Sequence, residues 1–173
     1  MTNNGIRKIL CTLWLVLLSA ALASALSDDT AKIPSCRYCG MDREKFAHSR
    51  MLVEYDDGSI TGTCSMRCMA TELANAIDKT PRGLKVGDYN THELIDAESA
   101  FWVIGGDKAG VMSSRAKWAF AKKADAEEFI KANKGNPATF EESMRTAYGD
   151  LYEDTLAIRE RRKARKMKAM EGK

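Results

Sequence analysis

Between residues 36 and 69 the chain carries Cys36-x2-Cys39-Gly40-Met41 and then Cys64-x3-Cys68-Met69. Each cysteine pair is followed within two residues by a methionine. Thiolate and thioether sulfur select soft or borderline centres, namely Cu(I), Zn(II) or Fe–S. A loop-borne Cys-x2-Cys with a second pair at the start of a helix is the layout of zinc-finger-like four-sulfur sites. That spacing does not choose the metal. The methionines discriminate better, because zinc rarely takes a thioether and Cu(I) accepts one readily. Outside the cell a thioether also cannot be lost to a disulfide and needs no deprotonation. Met41 can converge with Cys39 in an irregular loop, and Met112 sits on a glycine-rich loop where a core methionine would be odd. Met51, Met66 and Met69 read as core fillers instead, on the apolar sides of a strand and a helix. His48 and His92 fall in no two-histidine spacing and read as surface residues. The helix start beside Cys64 is expected to favour its thiolate and lower its pKa.

The compartment decides how these thiols are read. Arg7 and Lys8 followed by the apolar run Ile9–Ala21 and by Ala23-Ser24-Ala25 form a secretory signal, residues 1–25, cut before Leu26. The run is shorter than the ~20 apolar residues of a membrane span. The fifth cysteine, Cys11, leaves with it. Leu10 precedes Cys11 where a lipid-attachment site wants a small residue, so the product is expected in the periplasm and not as an evident lipoprotein. Secreted cysteines are usually disulfides. Here two arguments favour metal: the chain is long enough to bury a core without staples, and bridges between residues three or four apart close loops too small to stabilise much.

Charge excludes one class of partner. The formal +3 of the chain falls to about +1 once Arg7 and Lys8 are removed. Arg159 to Lys173 holds eight Lys or Arg against two Glu. No basic face interleaved with aromatics occurs in the body, so nucleic acid is not supported. The basic tail reads as solvated, with weak contact to an anionic membrane surface or acidic partner as its other use.

The elements that must position the sulfurs follow from periodicity. Residues 26–35 form a polar extended arm ending at Pro34. Met51, Val53 and Tyr55 alternate as a half-buried strand, Asp57-Gly58 turns the chain, and Ile60–Thr63 returns it to Cys64. Met66, Met69, Leu73, Ala76 and Ile77 then recur at helical spacing. This first ββα unit is assigned residues 36–80. A turn-rich link (Thr80–Gly83, Gly87–Asn90) leads to a second unit, residues 81–143. Its strands are Ala100–Ile104 and Lys117–Ala121, joined by the loop bearing Met112. Its helix, Ala126–Asn133, is capped by Asp125 with Glu128 and stopped by Gly135. Residues 144–173 make a charged C-terminal helix or tail, with a stripe of Tyr148, Leu151, Tyr152, Thr155 and Ile158. The fold class is α+β, with two tandem ββα-type units.

Three segments resemble the NosL family, the copper-binding accessory proteins of nitrous oxide reductase maturation. They are Cys36-Arg37-Tyr38-Cys39-Gly40-Met41, the Asp57-Gly58 hairpin with the cysteine-headed helix Cys64–Met69, and Asp96–Val103. Met112, Ala119-Phe120 and Ala126–Phe129 follow in the expected order. The resemblance runs from Cys36 to Phe140 and implies two halves similar to organomercurial lyase. It implies Cu(I) carriage in the periplasm by Cys39 and Met41, with Met112 as a further ligand. It also implies a copper-accepting protein or maturation complex as partner. The chain departs from the family in lacking a lipid-attachment cysteine. It departs again in Thr61-Gly62-Thr63-Cys64-Ser65-Met66-Arg67-Cys68, where a single cysteine is usual. That second pair resembles the TRASH domains of metal sensing and trafficking, and leaves Cys36, Cys64 and Cys68 as candidate ligands too. The alternative is a structural four-cysteine zinc module. An enzyme is not expected, since Cys-x2-Cys here precedes a loop and does not open a helix after a strand.

Overall fold

The computed structural model describes residues 29–171, with side-chain placement to residue 170. The signal segment, residues 1–25, and Cys11 lie outside the described residues.

The first sheet is built from β1 (Met51–Tyr55), β2 (Ile60–Thr63), β3 (Pro81–Gly87) and β4 (Leu94–Asp96), in the order β2-β1-β3-β4. β1 and β2 pair antiparallel with Met51 opposite Thr63. The turn between them forms as its residues demand: Gly58 takes φ +80, and the Asp57 carboxylate accepts the Ser59 N–H at 2.8 Å. Helix α2 (Met66–Asn75) follows β2 and buries Met66, Cys68, Met69, Ala70 and Glu72. The second sheet contains β5 (Phe101–Ile104), β6 (Lys117–Phe120) and β7 (Asn136–Ala138), in the order β6-β5-β7, with α3 (Lys123–Asn133) between β6 and β7. The chain ends in α4 (Phe140–Glu171).

Both halves therefore run hairpin, helix, third strand, and in both the third strand pairs on the free edge of the first. The tandem ββα reading holds, with two strands more in the first unit and one more in the second. Pro81–Gly87, expected as a link, is β3 and pairs with β1, so it belongs to the first sheet and not to the second unit. Pro81 is tolerated because it opens the strand, and Pro137 because β7 is an edge strand.

Other boundaries also shift. Asp29–Lys32 forms a single helical turn, α1, inside the expected extended arm. Ile77 lies beyond α2 and is 87% exposed. α3 starts at Lys123 with Lys122 as N-cap and no side-chain cap, so Asp125 sits in its first turn and does not cap it. α4 is capped by Thr139 and Glu142, whose side chains accept each other's backbone N–H at 3.2 and 2.8 Å. Its buried stripe is Phe140, Met144 and Ala147, with Leu151 partly buried. Tyr148, Tyr152 and Thr155, expected on that stripe, are exposed.

One core joins the halves. Met51, Val53, Met66, Met69, Leu84 and Val86 of the first unit pack with Trp102 and Ala119 of the second and with Phe140, Met144 and Ala147 of α4. A second cluster, Val103, Trp118, Phe120, Ala126 and Phe129, lies under α3. Asp88 stitches the sheets together: its carboxylate accepts the Ala121 N–H at 2.7 Å and the Thr91 N–H at 2.7 Å. Among the described residues no helix is long and apolar enough to cross a membrane.

Candidate metal centre

The loop before β1 folds back on itself to present two thiols. Ser35 bridges Asp42, the Cys36 N–H donates to the Met41 carbonyl at 2.8 Å, and the Gly40 N–H to the Cys36 carbonyl at 3.0 Å. Gly40 takes φ +73, which few side chains adopt. The knuckle is fixed to the hairpin by the Arg37 N–H on the Gly62 carbonyl at 3.3 Å. Arg43 fixes it further: fully buried, it donates to the carbonyls of Ile33, Met51 and Thr63 at 2.7, 3.1 and 3.2 Å and to the Asp29 carboxylate at 2.6 Å. A Cβ on Gly62 would stand 2.5 Å from the Arg43 guanidinium, so only glycine lets the arginine cross there. Cys64 lies between β2 and Ser65, the N-cap of α2, and Cys68 lies one turn into that helix.

The four sulfurs, Cys36, Cys39, Cys64 and Cys68, fall within 4.8 Å of one another. Cys39 and Cys64 are 3.4 Å apart, Cys64 and Cys68 3.8 Å, Cys68 and Cys39 3.9 Å. All four are free thiols. A four-coordinate ion with metal–sulfur bonds of about 2.3 Å has sulfur–sulfur edges of about 3.8 Å. The cluster therefore accepts a soft ion with little rearrangement. Cys36, Cys64 and Cys68 are buried and Cys39 is half-exposed, which leaves Cys39 as the point of entry.

Among the thiols the negative charge is not shared evenly. Hydrogen bonds from Cys64 and then Cys68 hold the Cys36 thiol far below its usual range. The Cys64 thiol is pushed far up by its bonds to Cys36 and Cys68 and by burial. Cys68 is pushed up to about 12, first by its bond to Cys36. This corrects the expectation for Cys64. The α2 terminus is outweighed by burial and by the neighbouring sulfurs, which disfavour a second thiolate beside the first.

Met41, Tyr38, Phe46 and Val111 pack around the sulfurs. Met41 is thus at the rim beside Cys39. Val111 comes from the second unit and also packs on its core. Met112, next to it, is 39% exposed with φ +59. Met51, Met66 and Met69 are buried in the core. His48 sits half-buried among Phe46, Tyr89 and Trp118, and its pKa is lowered by burial and then by His92, whose ring centroid is 6.1 Å away. Among the described residues, the metal-donor group that forms consists of the four cysteines.

Two positioning residues were not foreseen. Arg43 is one. The other is Glu72, buried in α2, which accepts the Tyr38 and Tyr55 hydroxyls at 2.6 and 3.0 Å and so ties the knuckle to the helix of Cys68. Burial pushes the Tyr55 hydroxyl upward, with Glu72 adding to the rise. Glu72 lies one turn beyond Cys68 and was the one acid on an otherwise apolar helical side, the only signal the chain offered.

A two-half α+β frame with a thiol cluster on one half defines a small soft-metal-binding protein. The NosL sequence profile matches residues 29–148, and the chain belongs to the NosL family. A crystal structure of the copper chaperone NosL from Shewanella denitrificans superposes with a TM-score of 0.50 at 23% identity, covering 62% of this chain and 87% of that one. The likeness is one of fold. No curated protein matches the sequence.

Proposed function

We propose that this protein carries Cu(I) in the periplasm and passes it to a copper-accepting protein or maturation complex, with nitrous oxide reductase as the client class that the family suggests. The observation that carries the reading is the convergence of four free thiols within 4.8 Å in a member of the NosL family, whose crystallised relative is a copper chaperone. Soft sulfur holds Cu(I) without a preferred geometry. Cys39, half-exposed, with Met41 at its side, is the sulfur an acceptor reaches first. Met112, exposed on the loop beside Val111, is the further ligand we infer from the second half. Release proceeds by ligand exchange: an incoming thioether or imidazole binds before a protein sulfur leaves. The chain reaches the periplasm through the residue 1–25 signal, cut before Leu26. The basic end of α4 adds weak, salt-screened contact with anionic membrane surfaces.

One observation favours a second reading. The separations among Cys39, Cys64 and Cys68, 3.4 to 3.9 Å, with Cys36 within 4.8 Å, fit the edges of a four-thiolate zinc site, as in structural or TRASH-type sensing and trafficking modules. Anaerobic titration of the reduced protein with Cu(I) against a competing chelator, repeated with Zn(II), separates the two. One Cu(I) per chain, bound much more tightly than Zn(II), is expected. Equal or tighter Zn(II) would overturn the carrier reading. For localisation, the N-terminus of the recovered protein should be Leu26, with the protein soluble after a salt wash; an intact N-terminus in the membrane fraction would refute it.

A further inference from the structure

Two acids one turn apart on α4 hold the segments from the two halves that flank the cysteine cluster. Asp150 is buried and accepts from Ser113 Oγ, Arg115 Nε and Lys117 Nζ, each at 2.6 Å. Asp154 accepts from Arg67 Nε at 3.0 Å. Arg67 stands beside Cys68 on α2. Ser113 stands two residues from Val111, the second-unit side chain that packs against the buried cysteine cluster. A crevice between the halves is lined by Ser65, Met66 and Arg67 on one side and Val111, Ser113 and Lys117 on the other.

The Asp150 network is expensive to bury. Lys117 is also buried, its side chain 3% exposed, and spends its remaining donors on Ser113 Oγ at 3.0 Å and the Arg115 carbonyl at 2.9 Å. Buried pairs of this kind add little net stability over an apolar pair of the same volume, but they specify one arrangement of the elements they join. Here the arrangement seats a largely exposed loop whose other anchors include the Val111 side chain and the Gly105 and Asp107 N–H groups at its start. Residues 107–109 and Met112 are exposed. Met112 has φ +59, a conformation that a non-glycine residue keeps only where its surroundings impose it.

We propose that Asp150 is a positioning residue, a latch on α4 that holds the residue 111–113 loop over the buried thiols and thereby sets how fast they open to an incoming reagent or acceptor. The consequence for copper release rests on the carrier reading above; the consequence for the thiols does not.

The test uses the full chain, reduced and metal-free, in two assays. The first follows alkylation of Cys64 and Cys68 by iodoacetamide under native conditions, by mass spectrometry. The second follows Cu(I) transfer from the loaded protein to a chelator by stopped flow. Loss of a charge-assisted hydrogen bond to the latch corresponds to about a tenfold change, so Asp150→Asn should raise both rates by that order. Ser113→Ala should raise them several-fold with its unfolding midpoint kept, and Asp150→Glu should restore part of the protection. If Asp150→Asn leaves Lys117 stranded and does not fold, the double variant Asp150→Leu/Lys117→Met removes the pair together and reads the same quantity. Lys134→Ala, which breaks an exposed pair with Asp107 at the base of the same loop, is the control and should leave both rates unchanged. Faster alkylation in the latch variants, with the control unchanged, supports the latch even if the wild type takes up no Cu(I), an outcome that defeats only the carrier reading. Wild-type alkylation rates in Ser113→Ala and in the folded double variant overturn it.

Discussion

Cys64 and Ala121 occupy the same place in the two halves of this protein: each lies between the end of the second strand and the N-cap of the helix that follows. Cys68 and Asp125 correspond in the same way, each third in its helix. The hairpins differ as well. The first turns within four residues, Asp56–Ser59, while the second opens into the loop from Gly105 to Ala116 that carries Val111 and Met112. One connectivity thus serves two purposes. The first half supplies sulfur, held from behind by the buried Arg43. The second supplies a cover, held from behind by the buried Asp150. The metal chemistry belongs to particular side chains and not to the fold they share.

The largest expected effect is on stability and tests how the first half is held. Arg43→Leu leaves the Asp29 carboxylate short of a buried partner, and breaking such a pair costs about 3–5 kcal/mol. Chemical denaturation of the metal-free protein should show that loss. A shift under about 1 kcal/mol, the scale of a surface ion pair, would mean that Arg43 is not the clamp.

The contrast between Cys64 and Ala121 comes next. Cys39→Ser and Cys64→Ser replace a soft donor by a hard one and should weaken Cu(I) binding by more than the roughly 100-fold seen when outer partners of a metal are lost. Ala121→Ser, at the matching place in the other half, should leave it unchanged. Equal effects in the two halves would erase the distinction drawn here.

Protons sharpen the same contrast. Cys64 and Cys68 are raised, Cys68 to about 12, and so are protonated at neutral pH. A metal that takes both as thiolates must displace both protons, and affinity rises with pH. Near pH 7 the metal affinity should climb at least about 100-fold per pH unit, tenfold for each of these two protons. A slope near zero would place the metal on other donors.

Smaller effects separate the methionines. Met112→Leu keeps the volume and deletes the sulfur, so it should weaken Cu(I) binding severalfold and leave the fold intact. Met69→Leu is a swap inside the core, should cost under about 1.5 kcal/mol, and should leave copper untouched. If Met69→Leu weakens copper while Met112→Leu is silent, the second half is no part of the centre.

Much of this arrangement was legible because local chemistry and tertiary structure agree. Met51, Val53 and Tyr55 alternate and are buried, Asp57-Gly58 turns, and the clustered cysteines meet. β3 and β7 were hidden by Pro81 and Pro137, which read as breakers although one opens its strand and the other sits on an edge. Arg43, Glu72 and Asp150 were hidden for another reason: a buried charge has the same letter as a solvated one, and its partners are distant in the chain. The ionisation of Cys64 was misjudged because a helix terminus is visible in sequence and the three sulfurs that surround it are not.

X-ray absorption of the Cu(I)-loaded chain, prepared anaerobically, tests the central claim most directly, that the thiol cluster of the first half is the copper site. A first shell of sulfur alone, losing sulfur in Cys39→Ser, is expected. A shell containing nitrogen, as His48 or His92 would give, or one unchanged by Cys39→Ser, would contradict it.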